Sequence, residues 1–174
     1  RRGSWRRGAA DVAANAPGAA SASTLLVCTA NICRSPMAEV LWREAATRLG
    51  RLMPVASAGI EATPGRPADD ACVELMAERG IDLTNHRSMR FNAAEAARHE
   101  LVLVMEPEHQ RRIMATVPTL AGRVHLLGRW GVGAISDPYG AARADYEECL
   151  DRIERSIQSW MNRIGGRSMA NRSA

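Results

Sequence analysis

Short apolar runs alternate with longer stretches of helical period along most of this chain. Thr24–Thr29 (TLLVCT) is a compact apolar run and predicts a buried strand. Ser35–Leu49 sets Met37, Val40, Leu41 and Ala45 on one face and meets Gly50 at its end, which predicts a helix. Pro36 falls in the first turn of that helix, where proline is tolerated. Met53–Ser57 predicts a second strand, Ala68–Arg79 a helix closed by Gly80, and Asn92–His99 another helix. Leu101–Met105 (LVLVM) predicts a buried third strand, Glu108–Thr116 a short helix behind Pro107, and Val124–Leu127 a fourth strand. Arg143–Ile164 carries Tyr146, Cys149, Leu150, Ile153, Ile157 and Trp160 at helical spacing and predicts a long last helix.

Alternating β and α with short connections implies an α/β fold. The expected form is three-layer α/β/α, with a four-stranded parallel sheet covered by helices on both faces. Ligands in such folds bind outside the carboxyl ends of the strands. The loop after the first strand is therefore the first place to look for chemistry. There is no internal repeat, and one domain is expected over residues 24–166. Residues 1–23 break the pattern: Arg1, Arg2, Arg6 and Arg7 surround Trp5, and an Ala/Gly/Ser stretch follows. No apolar segment follows those arginines, so a disordered tail is expected there rather than an export signal. Residues 167–174 are expected to form a C-terminal tail.

Composition narrows the function classes. With 174 residues, 46% of them hydrophobic, the chain has the length and apolar content for one packed core. No run of about 18 apolar residues occurs, so membrane insertion is not expected. The net charge is +4, and all 23 basic residues are arginine, spread along the chain among acids. With aromatics at 4% there is no stacking platform, and no nucleic-acid partner is expected. The four cysteines, Cys28, Cys33, Cys72 and Cys149, form no CxxC pair and no Cys/His spacing of a zinc site. Neither a metal nor another cofactor is called for, and a reducing, cytoplasmic setting is expected.

Cys28 lies at the carboxyl end of the first predicted strand, and Arg34 follows after five intervening residues. The loop Thr29-Ala30-Asn31-Ile32-Cys33 between them leads straight into a helix. Such a loop is an anion trap: its backbone N–H groups converge as a nest, and the helix N-terminus adds partial positive charge. The Arg34 fork grips two oxygens of a phosphate. The same field favours the thiolate of Cys28, and Ser35 is placed to donate a hydrogen bond to that sulfur. In-line attack would give a cysteinyl phosphate that water then hydrolyses. The leaving oxygen needs a proton, and Asp137 is the best candidate. It sits in the turn-forming Ser136-Asp137-Pro138-Tyr139-Gly140, between the fourth strand and the last helix. Tyr139 is placed to line the slot and stack on a substrate ring.

Cys28 to Pro36 (CTANICRSP), together with Asp137-Pro138-Tyr139, resembles the low-molecular-weight protein tyrosine phosphatases, from about Leu25 to Trp160. Ser57-Ala58-Gly59 and Leu127-Gly128-Arg129-Trp130-Gly131 resemble the bacterial members paired with tyrosine autokinases of exopolysaccharide export. The resemblance implies hydrolysis of phosphotyrosine, with Cys28 as nucleophile, Arg34 as phosphate binder and Asp137 as proton donor. It implies a phosphotyrosine protein as partner, such as a tyrosine autokinase or another exopolysaccharide-pathway protein, and phosphate or another oxyanion in the loop. It further implies a buried polar support of Asn31, Ser35, Ser57 and His86, and a reversible disulfide between Cys33 and Cys28 that protects the nucleophile. The pocket wall aligns near Thr63. Three departures stand out. Ala30 replaces the usual glycine and fits only if its φ is negative. Arg87-Ser88-Met89-Arg90 follows His86 in place of an Ala-Arg-Gln run. One aromatic, Tyr139, follows Asp137-Pro138 where some relatives have two, which implies a wider, less apolar slot.

Overall fold

In the computed structural model, which describes residues 23–170, four strands align in the order β2-β1-β3-β4, all parallel. They are β1 (Thr24–Cys28), β2 (Val55–Gly59), β3 (Leu101–Val104) and β4 (Val124–Leu126). Five helices connect and follow them: α1 (Arg34–Arg48), α2 (Asp70–Ala77), α3 (Ala93–Ala97), α4 (Pro107–Thr116) and α5 (Arg143–Ala170). A short 3₁₀ turn, Pro118–Leu120, precedes β4. Residues 1–22 and 171–174 lie outside the described residues, and with them nearly all of the expected N-terminal tail and half of the expected C-terminal one; residues 167–170 continue α5.

Side chains on successive strand residues point to opposite faces, so a fully buried strand must be apolar throughout. The strands follow this rule. Leu26, Cys28, Leu103 and Met105 join one core with α1, α2 and α5, through Met37, Leu41, Trp42, Leu75, Met76, Ile153 and Ile157. Leu25, Val27, Val102 and Val104 join a second core on the other face with Ala96 of α3 and Ile113 of α4. A helical layer therefore covers each face, the three-layer arrangement expected from the alternating pattern. Helices α1 and α5 pack against each other beneath the first core. Among the described residues no helix is long and apolar enough to cross a membrane.

One strand is displaced from its expected place. The second runs from Val55 to Gly59 rather than Met53 to Ser57. Pro54 has no N–H to give a ladder, and it joins the sheet edge only through its carbonyl, which accepts from the N–H of Thr24 at 2.9 Å. The shift pairs Cys28 with Gly59 at the carboxyl end of the sheet. Chain order runs outward in opposite directions from β1 and β3, so the crevice above these two strands is the switch point of the fold.

Candidate active site

Cys28 ends β1 and Arg34 begins α1, so the loop between them turns over the carboxyl edge of the sheet. Four of its carbonyls are held from outside. Ile60 N–H reaches Cys28 O at 3.0 Å, Glu61 N–H reaches Thr29 O at 2.8 Å, and Asp69 N–H reaches Ile32 O at 2.9 Å. His86 Nε2 lies 2.8 Å from Asn31 O and donates to it. In a trans peptide the N–H points away from the C=O. Holding these carbonyls outward turns the N–H groups of Thr29, Ala30, Ile32 and Cys33 into the loop, which makes a nest for an anion. The close approach of β2 needs Gly59: a Cβ there would lie 2.6 Å from Thr29 O and 2.7 Å from Asn31 N. Asn31 is the one non-glycine residue with positive φ among the described residues, at 55°, a region asparagine tolerates. Ala30 keeps a negative φ and needs no glycine.

A hydrogen-bond network of uncharged groups, ending on the carboxylate of Glu39, backs one flank of the loop. Asn31 Nδ2 donates to Ser35 Oγ at 2.8 Å and to Ser57 Oγ at 2.9 Å, and Asn31 Oδ1 accepts from Met89 N–H at 2.8 Å. Ser57 Oγ donates to Glu39 Oε2 at 2.6 Å. Ser35 Oγ lies 3.0 Å from Cys28 Sγ and 3.4 Å from Ala58 O. Ser35 has one proton to give, to Ala58 O or to the nearer sulfur, and a Cys28 thiolate, which can only accept, would take it. Cys28 Sγ accepts a further hydrogen bond from Asn31 N–H at 3.2 Å.

Charge gathers on the other flank. Arg34 is buried, and its Nη1 donates to Glu106 at 2.7 Å and to Ile135 O at 3.0 Å. Its Nη2 donates to Asp137 at 2.6 Å and to Thr29 Oγ1 at 3.3 Å. Arg34 Nε is buried without a partner. A buried donor left unmade costs about 1–3 kcal/mol, which an oxyanion in the loop would remove. His109 completes this side. Its Nδ1 accepts from Glu106 N–H at 3.2 Å, so Nε2 carries the proton and donates to Thr29 Oγ1 at 3.0 Å. Burial first, and then the Arg34 charge, hold His109 below its ordinary value and keep it neutral.

Cys28, Arg34, Ser35, Asn31, Ser57, His86 and Asp137 thus meet within one hydrogen-bonded assembly. Ile32 and Cys33 are buried beneath the loop. Tyr139 stands at the rim, 59% exposed, as a slot wall open to substrate would. Thr63 is exposed, and its carbonyl accepts from Ser88 Oγ at 2.6 Å. That bond ties the altered segment after His86 to the turn after β2. Three members escaped the sequence reading: Glu39, Glu106 and His109. The acid that directly follows the apolar run LVLVM, at the strand end beside Cys28, was the available signal for Glu106. Donor atoms close enough to share an ion occur once among the described residues, at Cys33, Asp69 and Cys72, all within 4.8 Å of one another. All four cysteines are free and buried.

The sequence profile of the family described as low molecular weight phosphotyrosine protein phosphatase matches residues 23–170. The chain is 39% identical over 140 residues to the probable low molecular weight protein-tyrosine-phosphatase EpsP of Ralstonia nicotianae, covering 80% of this chain and 94% of that protein. It is 36% identical over 143 residues to the low molecular weight protein-tyrosine-phosphatase Etp of Escherichia coli, covering 82% and 94%. Among solved structures, Vibrio vulnificus Wzb in complex with benzylphosphonate matches with a TM-score of 0.76 and 31% identity, covering 82% of this chain and 99% of that one. The arginine phosphatase YwlE, solved as a mutant with a phosphorylated active-site serine, matches with a TM-score of 0.78 and 29% identity, covering 82% and 95%.

Proposed function

The chain belongs to the low molecular weight protein-tyrosine phosphatases, hydrolases of phosphotyrosine, and on that premise we propose how its own residues carry the reaction. The substrate phosphoryl group enters the nest, and Arg34 exchanges Asp137 and Thr29 for two phosphate oxygens. Cys28, as thiolate, attacks phosphorus in line with the departing phenolic oxygen. A new S–P bond forms as the P–O bond to the ring breaks, and Asp137 gives its proton to the leaving oxygen. Asp137, now ionised, takes a proton from water, whose oxygen attacks phosphorus. The S–P bond breaks, phosphate leaves, and Cys28 returns as the thiolate. Ser35 and the Asn31 N–H hold the sulfur anion at both ends of the cycle, and Tyr139 stacks on the substrate ring.

One observation supports this reading above the rest: the sulfur of Cys28 accepts from Asn31 N–H and lies 3.0 Å from Ser35 Oγ, in the same loop where Arg34 bonds Asp137 at 2.6 Å. The protein partner is proposed as a tyrosine-phosphorylated autokinase or another exopolysaccharide-pathway protein. Support for it lies in the segments 57–59 and 127–131 and in the kinship with EpsP and Etp. Four reduced, buried thiols suit a cytoplasmic setting.

The test is a trap of the covalent intermediate. The Asp137→Ala enzyme is mixed with p-nitrophenyl phosphate, quenched early and weighed intact. The expected result is a species heavier by one phosphoryl group, mapped to Cys28 and absent from Cys28→Ser. Turnover by Cys28→Ser at the parent rate would overturn the mechanism. Parallel assays with a phosphotyrosine peptide and with phosphoarginine test the substrate, and preference for phosphoarginine would move this chain toward the YwlE activity.

A further inference from the structure

The back of the loop holds a thiol pair that the proposed reaction does not use. Cys33 Sγ, Cys72 Sγ and a carboxylate oxygen of Asp69 lie within 4.8 Å of one another. Cys33 is 3% exposed and Cys72 fully buried. Cys33 occupies the cap position of α1, Asp69 that of α2, and Cys72 follows in the first turn of α2. The Asp69 side chain does not cap its helix; its carboxylate accepts from the Tyr146 hydroxyl at 3.0 Å instead. Asp69 N–H binds Ile32 O at 2.9 Å, so a backbone hydrogen bond holds the start of α2 against the residue before Cys33. The two sulfurs are thereby kept in register by the segments that carry them. The neighbouring Cys72 first, and burial second, push the Cys33 thiol far up.

We infer that Cys72 is a second resolving thiol: it takes from Cys28 the disulfide formed with Cys33, stores the oxidation as Cys33–Cys72, and returns the nucleophile. This rests on Cys28 being the reactive thiolate. Hydrogen peroxide transfers one oxygen to the Cys28 sulfur, giving the sulfenic acid, and is reduced to water. Cys33–SH condenses with that acid; the S–S bond forms and water leaves with the hydroxyl and the thiol proton. Cys72 gives its thiol proton to the neighbouring Asp69 carboxylate, and its sulfur then attacks the Cys33 sulfur. A Cys33–Cys72 bond forms, the Cys28–Cys33 bond breaks, and the electron pair departs on Cys28 as the thiolate. The direction follows from the surroundings. The departing sulfur returns to the donors of Asn31 and Ser35, while the new neutral disulfide lies in an apolar core that would penalise a charge.

The consequence is a phosphatase that absorbs a first oxidising equivalent and keeps working. The full chain, reduced, is given one molar equivalent of peroxide, alkylated, and mapped without reductant, with p-nitrophenyl phosphate hydrolysis followed in parallel. The wild type is expected to yield the Cys33–Cys72 linkage, an alkylated Cys28, and most of its activity. Cys72→Ala, folded and active when reduced, is expected to stop at Cys28–Cys33 and lose nearly all activity until reductant is added. Cys72→Ser checks that this loss does not come from a packing defect, and should behave alike. The same linkage and the same activity loss in wild type and Cys72→Ala would overturn the inference. So would an oxidised wild type that carries only Cys28–Cys33. Failure of the catalytic reading shows separately, as activity in the reduced protein that does not depend on Cys28.

Discussion

The two flanks of the Cys28 loop are built from different chemistry. Toward β2, Asn31, Ser35, Ser57 and Met89 N–H join through hydrogen bonds between uncharged groups, with only Glu39 charged at the far end of Ser57, and the Asn31 amide uses both its donors and its acceptor. Toward β3 and β4, Arg34 meets two carboxylates, a carbonyl and a hydroxyl, and still keeps an unpartnered Nε. A closed neutral network resists motion, because any shift strands a buried polar group. A charged cluster around one guanidinium can trade a carboxylate for a phosphate without leaving a charge alone. The β2 flank therefore fixes the shape of the nest, and the other flank is where the proposed reaction exchanges partners.

Substitutions at the nucleophile and on the charged flank should act on turnover far more than on folding. Cys28→Ser is expected to abolish hydrolysis yet still bind vanadate or phosphate, read by calorimetry. Arg34→Ala should cost on the order of 10³-fold in kcat/KM and weaken oxyanion binding too, since it removes the fork itself. Arg34→Lys should rescue little, because a point charge cannot grip two oxygens in one plane. Next in size is Asp137→Ala, at about 10²–10⁴-fold for phenyl phosphate. The same variant should lose much less on p-nitrophenyl phosphate, whose leaving group needs less help. Equal losses on both would remove Asp137 from the acid role.

The neutral flank should answer in the opposite sense. Asn31→Ala removes the donors to Ser35 and Ser57 and the acceptor of Met89 N–H, each left unmade at about 1–3 kcal/mol. It also puts alanine at a φ of 55°. Denaturant unfolding should show a loss of several kcal/mol, large beside that of Asp137→Ala. Ser57→Ala, which leaves Asn31 bonded to Ser35, should cost less. Should Asn31→Ala abolish turnover while leaving stability intact, the division between a fixed and an exchanging flank would fall.

Local patterns made much of this architecture legible. LVLVM reads as a strand buried on both faces because its residues alternate between two apolar cores, and Cys28 and Arg34 share one short loop. What the sequence hid is what the fold brings from afar. Glu39, Glu106 and His109 sit on helices or strand ends whose register against β1 no spacing reveals. Cys72 reads as a core position of a helix, and its burial fits; its sulfur partner, Cys33, comes from the cap of a different helix. The apolar run puts the second strand two residues early because Met53 and Pro54 continue it, while the proline withholds the N–H that a ladder needs.

The smallest effect lies where the charged flank borrows a neutral group. His109 is held below 6.5 by burial and by Arg34, while Glu106 and Asp137 pull the other way and Arg112 adds to the lowering. As pH falls past 6.5 the unfolded chain takes up a proton that the folded chain refuses. Stability from this group is thus fully present above 6.5 and is lost as pH falls from there toward the lower folded value. Protonation in the fold would set a new Nδ1–H against the Glu106 N–H and add a cation beside Arg34. Gln offers one acceptor and one donor in place of the ring nitrogens and does not titrate. Denaturant midpoints measured from pH 7 to pH 5 should therefore fall less in His109→Gln than in the wild type. The carboxylates contribute the same acid loss to both, so only the difference belongs to His109. Parallel curves would mean that the Thr29 hydroxyl is held without help from a neutral imidazole, and that the charged flank is charged throughout.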